Sequence, residues 1–273
     1  MNPPNFSSLS LSLDQGIAEI RLNRPDKSNA MNDAMWQEIR QAFEWVDATP
    51  EARVAILSGA GRNFCAGIDL ALLADIQHRT AHPDGARSRE ALRRLILDMQ
   101  DCLTSVERCR KPVLAAIQGA CIGGALDLVT CCDMRYATAD AIFSVREIDV
   151  GMVADVGTLQ RLPRLIPEGK ARELAFTGRN FLADEGEQLG LINRVFASHE
   201  ALTATVHELA QAIAAKSPLA TRGIKEVMNF SRDHSIADGL NFIATWNAAM
   251  LLSDDLSEAI VAQREKRAPR FAD

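Results

Sequence analysis

One shape used twice constrains the fold of this 273-residue chain more than any other feature: a short apolar strand, then a small-residue junction, then a helix. The first strand is Val54–Leu57, and after a Gly-rich loop comes the junction Phe64-Cys-Ala-Gly-Ile-Asp-Leu70. The second is Val113–Ile117, followed by Ile122-Gly-Gly-Ala-Leu-Asp-Leu128. Apolar runs without alternation suit buried strands. Buried strands that hand over to helices imply a mixed α/β body.

The junctions also suggest chemistry. The first N–H groups of a helix have no internal acceptor, and small residues let another molecule approach them closely. Taken singly, each junction is equally explained by tight helix–strand packing. Together they could supply two converging donors, the requirement of an oxyanion hole. The donors are expected to be the N–H groups of Ala66 and Gly124.

Three carboxylates stand in apolar or Gly-rich settings: Asp127, Glu147 and Asp155. An ionised carboxylate is costly to bury without a partner. Proton transfer on carbon, in contrast, uses carboxyls held away from water with raised pKa values. Asp127 follows Gly124 by three residues, so on a helix the two share a face. Glu147 and Asp155 are eight residues apart, with Gly151 between them to allow a turn. Competing structural roles are an ion pair of Glu147 with Arg146 and a helix cap at Asp155. Asp69 suits the first turn of a helix, where the dipole favours a carboxylate. Asp133 and Arg135 are expected to form a structural ion pair.

The first six residues are expected to be disordered. Leu9–Leu13 and Gly16–Leu22 alternate as a hairpin does, and Asn32 caps a helix reaching Ala48. Further helices are expected from Gly67 to Gln77, from Ser88 to Cys109 and over Gly123–Thr130, with a mobile polar break at 78–86. Beyond Asp155 the pattern is almost wholly helical, with apolar residues at i, i+3 and i+4. The expected division is an α/β body over 1–195 and a helical region over 196–273. Phe242, Trp246, Met250 and Leu251 fall at helical spacing and predict contact with further copies of the chain.

The formal net charge of -6 gives no support to nucleic-acid binding, and no apolar run reaches membrane-spanning length. The six cysteines form no Cys-x-x-Cys pair and the five histidines lack zinc-ligand spacing. Buried thiols in a reducing compartment and no metal are therefore expected. The N-terminus has no basic-then-apolar leader, and Arg270–Asp273 is no peroxisomal address, so a cytoplasmic location is expected. Arg87, Arg89, Arg93 and Arg94 read as a solvated face or as phosphate contacts.

The two junctions resemble those of the crotonase (enoyl-CoA hydratase/isomerase) superfamily, and the resemblance runs from about Leu9 through the helical tail. Asn23-Arg-Pro-Asp-Lys-Ser-Asn-Ala-Met31 is similar to its early CoA-contacting segment. Within it, the acids with their neighbours Arg-Glu-Ile-Asp-Val-Gly and Ala-Asp-Val-Gly-Thr-Leu-Gln-Arg-Leu-Pro are most like the Δ3,5-Δ2,4-dienoyl-CoA isomerases. The resemblance implies a ββα spiral core with a C-terminal helical trimerisation region. It also implies an acyl-CoA thioester substrate, no separate cofactor, and a homotrimer or homohexamer.

On that reading Asp127, Glu147 and Asp155 are catalytic. Cys65, Ala66, Gly67, Ile68, Asp69 and Gly124 are the substrate contacts. Glu147 serves C2, Asp155 serves C6, and Asp127 tunes them. Enoyl-CoA hydratases usually have glutamates at the positions of Asp127 and Glu147. Here the first is Asp, and Asp155 adds a third acid. Hydration or another acyl-CoA chemistry of the family, and a non-catalytic binding role, are the alternatives. Ala125 departs from the family pattern, which often has a third Gly there.

Overall fold

The computed structural model describes residues 3–273. Met1 and Asn2 of the expected disordered start lie outside them, and Phe6 packs against the core. In chain order the elements begin β1 (Leu9–Asp14), β2 (Ile17–Leu22), α1 (Asp33–Ala48), β3 (Val54–Gly59), α2 (Leu70–Arg79) and α3 (Gly85–Arg108). Next come β4 (Val113–Ile117), β5 (Ala120–Ile122), α4 (Gly124–Thr130), β6 (Met134–Thr138) and β7 (Ile142–Ser144). Then follow α5 (Thr158–Leu165), α6 (Glu168–Thr177), β8 (Phe181–Leu182), α7 (Ala183–Leu189) and β9 (Arg194–Phe196). The chain ends with α8 (His199–Ala214), α9 (Pro218–Arg232), α10 (Ile236–Met250) and α11 (Asp254–Glu265).

The larger sheet runs β1-β2-β3-β4-β6-β9, antiparallel only at the β1–β2 hairpin, and the smaller runs β5-β7-β8. The hairpin turn at Gln15 and Gly16 has positive φ at both residues (48° and 82°), the hand that matches strand twist. The apolar runs of β3 and β4 are explained by burial on both faces. Ala55, Leu57, Val113 and Ala115 join the main core with α1 and α3. Val54, Ile56 and Leu114 face Leu202, Val206 and Ala210 of α8.

At residue 195, where the division is expected, β9 pairs with β6, and α8 packs on the sheet. The polar break is shorter than expected, because Asp84 caps α3 by accepting the Ala86 N–H at 2.8 Å. Strands β8 and β9, two and three residues long, fall inside the stretch that reads as helical. Asp133 does not pair with Arg135. It takes Lys225 Nζ and the Val113 N–H, each at 2.7 Å. The buried Arg135 guanidinium instead donates to the carbonyls of Leu191 and Cys132 at 2.7 and 2.6 Å.

In the tail, Phe242 stacks on Phe230 with centroids 4.2 Å apart, and Trp246 lies against Gly223 of α9. These two rings thus pack within the chain. Apolar side chains left exposed in the tail include Ile224 and Met228 of α9 and Ile236 and Leu240 of α10, the last two 84% and 64% exposed, as well as Met250 and Leu251.

Candidate active site

The two junctions lie side by side. Cys65 N–H donates to Ala120 O at 2.9 Å and Ile122 N–H to Cys65 O at 3.1 Å. Gly67, at φ +93°, approaches so closely that an added Cβ would lie 2.6 Å from Ile122 O. At Gly123, φ +57°, a Cβ would sit 3.2 Å from Glu147 Oε1, and at Gly124 it would lie 2.8 Å from Met31 Cε. At Gly67 glycine is therefore required by space as well as by conformation, and at Gly123 by conformation. The 23–31 segment backs this wall: the buried Asn29 amide donates to the carbonyls of Ala60, Asn63 and Phe64 at 2.8–3.0 Å.

The backbone hydrogen bonds correct the donor assignment. Ala66 N–H is already given to Ser28 O at 2.9 Å. Asp69 N–H goes to Met31 O at 3.0 Å, and Gly67 N–H points at Cys65 Sγ at 3.4 Å. Ile68 N–H has no acceptor among the described residues, and neither has Gly124 N–H. Ala66 fails because residues 64–66 pair as a strand with their neighbours, whereas the helix begins only at Leu70. Asp69 caps that helix through the Ala71 N–H at 3.1 Å and pairs with Arg24 at 3.0 Å. Cys65 is fully buried, with its Sγ 3.0 Å from Asn29 O. Neither Cys65 nor Asp69 reaches the cavity. Ala66, Gly67, Ile68 and Gly124 line it.

That cavity has a volume of about 510 Å³. Its apolar wall comes from α2 (Leu73, Ile76) and α3 (Leu92, Leu95, Ile96, Met99), residues at helical spacing on α3. Glu147 and Asp155 also line it. Asp127 does not line the cavity. It is 0% exposed, and its Oδ1 accepts the N–H of Thr158 at the start of α5. Sequence reasoning missed this contact and the Ile68 donor. Only the Leu/Ile/Met spacing of α3 could have pointed to the wall.

None of the three acids forms a salt bridge among the described residues. Arg146, the expected partner of Glu147, pairs with Asp149 at 2.9 Å. Asp155 caps no helix: the cap position of α5 is Gly157. Burial, and next the charge of Glu147, push Asp127 up to about 7 against the pull of the Thr158 N–H. Glu147 is raised by burial and by the Asp155 charge, with Asp127 and its own backbone opposing. Asp155 is raised by burial. Asp127 Oδ2 and Glu147 Oε2 are buried without other partners, so the two titrate as one set. The six thiols are all free and buried, and burial raises them. No group of three or more potential metal ligands occurs among the described residues.

Residues 12–273 match the family model described as enoyl-CoA hydratase/isomerase. The chain belongs to the enoyl-CoA hydratase/isomerase family. It is 48% identical to the peroxisomal Δ3,5-Δ2,4-dienoyl-CoA isomerase of Arabidopsis thaliana, covering 95% of this chain and 94% of the relative. Against the mitochondrial enzyme of that name from Mus musculus it is 43% identical, over 96% and 81%. The solved enoyl-CoA hydratase of Bacillus anthracis superposes with a TM-score of 0.87 at 30% identity, over 97% and 99%. The crotonase-like α/β fold implied by the resemblance is the fold of the family. The cytoplasmic expectation is overturned, because these dienoyl-CoA isomerase relatives are named peroxisomal or mitochondrial. Its basis, the lack of visible address signals, carried no physical constraint.

Proposed function

We infer that this family member is a dienoyl-CoA isomerase, converting 3,5-dienoyl-CoA to 2,4-dienoyl-CoA in fatty-acid oxidation. One observation carries the reading: Glu147 and Asp155, both with raised pKa values and no cationic partner, line one cavity with the free N–H groups of Ile68 and Gly124, and the buried Asp127 is linked to Glu147. The thioester oxygen accepts from Ile68 and Gly124. Glu147, packed on Gly123 beside the donor Gly124, is adjacent to C2 and removes its proton. The electron pair moves through the conjugated chain, and the dienolate charge collects on the thioester oxygen, where the donors stabilise it. Asp155, protonated, delivers a proton at C6, which leaves two double bonds at C2 and C4. Asp127 keeps the remaining proton next to Glu147, so that Glu147 starts as the carboxylate. The proton then returns from Glu147 to Asp155 before the next turnover. CoA enters as part of the substrate and no separate cofactor takes part.

The test is the absorbance of conjugated 2,4-dienoyl-CoA formed from a 3,5-dienoyl-CoA. Hydration of 2-enoyl-CoA with no isomerisation would replace this reading with a hydratase. For the oxyanion site, Ile68→Pro removes a donor and should cost ~10²–10³ in turnover. Wild-type turnover in the folded variant would relocate the thioester.

The exposed apolar side chains of Ile224, Met228, Ile236 and Leu240 support a homotrimer or a pair of trimers. Light scattering that reports a monomer at micromolar concentration would defeat this.

A further inference from the structure

Behind the Asp155–Thr158 turn lies a second hollow of about 340 Å³, which shares Val156 with the substrate cavity. In it, Glu107 of α3 sits between two guanidinium groups. Its Oε2 accepts from Arg161 Nε at 2.9 Å and from Arg161 NH2 at 2.7 Å. Its Oε1 pairs with Arg232. Arg161 also reaches Thr104 Oγ1 at 3.2 Å. The Glu107 and Arg161 side chains are only 14% and 15% exposed, so this is not a solvated pair of little weight. Arg161 belongs to α5 and Arg232 ends α9. One carboxylate therefore pins three helices.

What it pins is the turn that carries the acids. Thr158, the first residue of α5, gives its N–H to Asp127. Gln100, seven residues before Glu107 and so on the same face of α3, donates Nε2 to the Asp155 carbonyl at 2.6 Å. Arg161 lies directly over Gly157, at φ +133°, where any Cβ would collide with its guanidinium. The clamp thus extends from α9, through Glu107, to the residues on both ends of the turn. Lys225 and Asn229, at helical spacing before Arg232, fasten the same face of α9 to the Lys111 and Glu107 carbonyls at 3.1 and 3.4 Å.

We propose that Glu107, held by Arg161 and Arg232, is a positioning residue for the proton transfers: it fixes the Asp155–Thr158 turn against α3, keeping Asp155 over the acyl chain and Asp127 behind Glu147. It touches neither substrate nor reacting atoms. The proposal rests on the proton-transfer roles given above.

Full-length Glu107→Gln and Arg161→Lys test it. Isomerisation of a 3,5-dienoyl-CoA is measured by absorbance, and exchange of the C2 proton in D2O by NMR. A displaced turn slows delivery at C6 more than removal at C2. The expected result is kcat lower by about 10–10²-fold, since small misplacements have effects of that order. KM should stay nearly unchanged, and the ratio of C2 exchange to isomerisation should rise. A merely structural role would lower the folded fraction and leave that ratio at its wild-type value.

A folded Glu107→Gln protein with wild-type kcat and ratio overturns the proposal. If Glu107→Gln does not fold, Arg161→Lys decides, since it keeps the charge but loses the two-pronged hold. A wild-type ratio there is equally fatal. Glu147→Gln separates the two levels. Turnover surviving in Glu147→Gln would sink the proton-transfer roles themselves. An inactive Glu147→Gln beside wild-type Glu107 and Arg161 variants would sink only the clamp.

Discussion

The buried Asp127 and the half-buried Glu107 both contact the first turn of α5, and the protein treats them in opposite ways. Asp127 has one backbone N–H and a second acid for company, and it is pushed up to about 7 by burial and the Glu147 charge. Burial would raise Glu107 too, but Arg161 and Arg232 outweigh it and hold the group below its usual value. Burial alone therefore does not decide the protonation state of an acid; the partner does. The acids of the cavity region lack cations, whereas Glu107, outside it, is held by two.

The largest effect that tests this contrast is on turnover. Glu147→Gln and Asp155→Asn should each lower kcat by at least ~10²-fold, the lower end for general acid–base catalysis. Binding of an acyl-CoA should change far less, as checked by calorimetry. Near-normal turnover in either variant would remove that acid from the proton transfers and break the comparison.

The contrast was only half legible in the sequence. Asp127, Glu147 and Asp155 stand out because carboxylates in apolar runs conflict with local composition, and such conflicts mark sites. Glu107 sits in an ordinary amphipathic helix, and its partners are 54 residues away in α5 and farther still in α9. Only tertiary structure brings them together. The hairpin, the Asn32 cap and strands β3 and β4 were legible from alternation, capping and apolar runs. The free N–H of Ile68 was not, because sequence does not say which N–H groups of a Gly-rich junction a neighbouring strand has already used. Ala66 and Ile68 differ in that respect alone.

A smaller effect concerns stability. The folded pKa of Asp127 lies above its unfolded value of 3.8, so the folded state binds more protons between those two pH values. Wild-type stability should therefore fall as pH rises from about 4 to about 7, with a slope of at most ~1.4 kcal/mol per pH unit. Asp127→Asn keeps an oxygen for the Thr158 N–H and has no charge to bury. It should be more stable than wild type at pH 8, and the gap should close towards pH 4. Urea melts at pH 4, 6 and 8 read this directly. A gap independent of pH would mean that Asp127 is ionised throughout and belongs with Glu107.

The smallest effect is the mirror image. Glu107 has a folded pKa below its unfolded value of 4.5, so its charge stabilises the fold above that value. The contribution is lost as pH falls through the lowered folded pKa. Glu107→Gln, which retains the shape but not the charge, should be less stable than wild type at pH 7. Its deficit should shrink as the medium becomes acid enough to protonate the wild-type group. The two variants therefore move in opposite directions: Asp127→Asn diverges from wild type upwards as pH rises, and Glu107→Gln diverges downwards. Parallel curves would show that the two carboxylates share one electrostatic setting, and that the arginine clamp does not distinguish them.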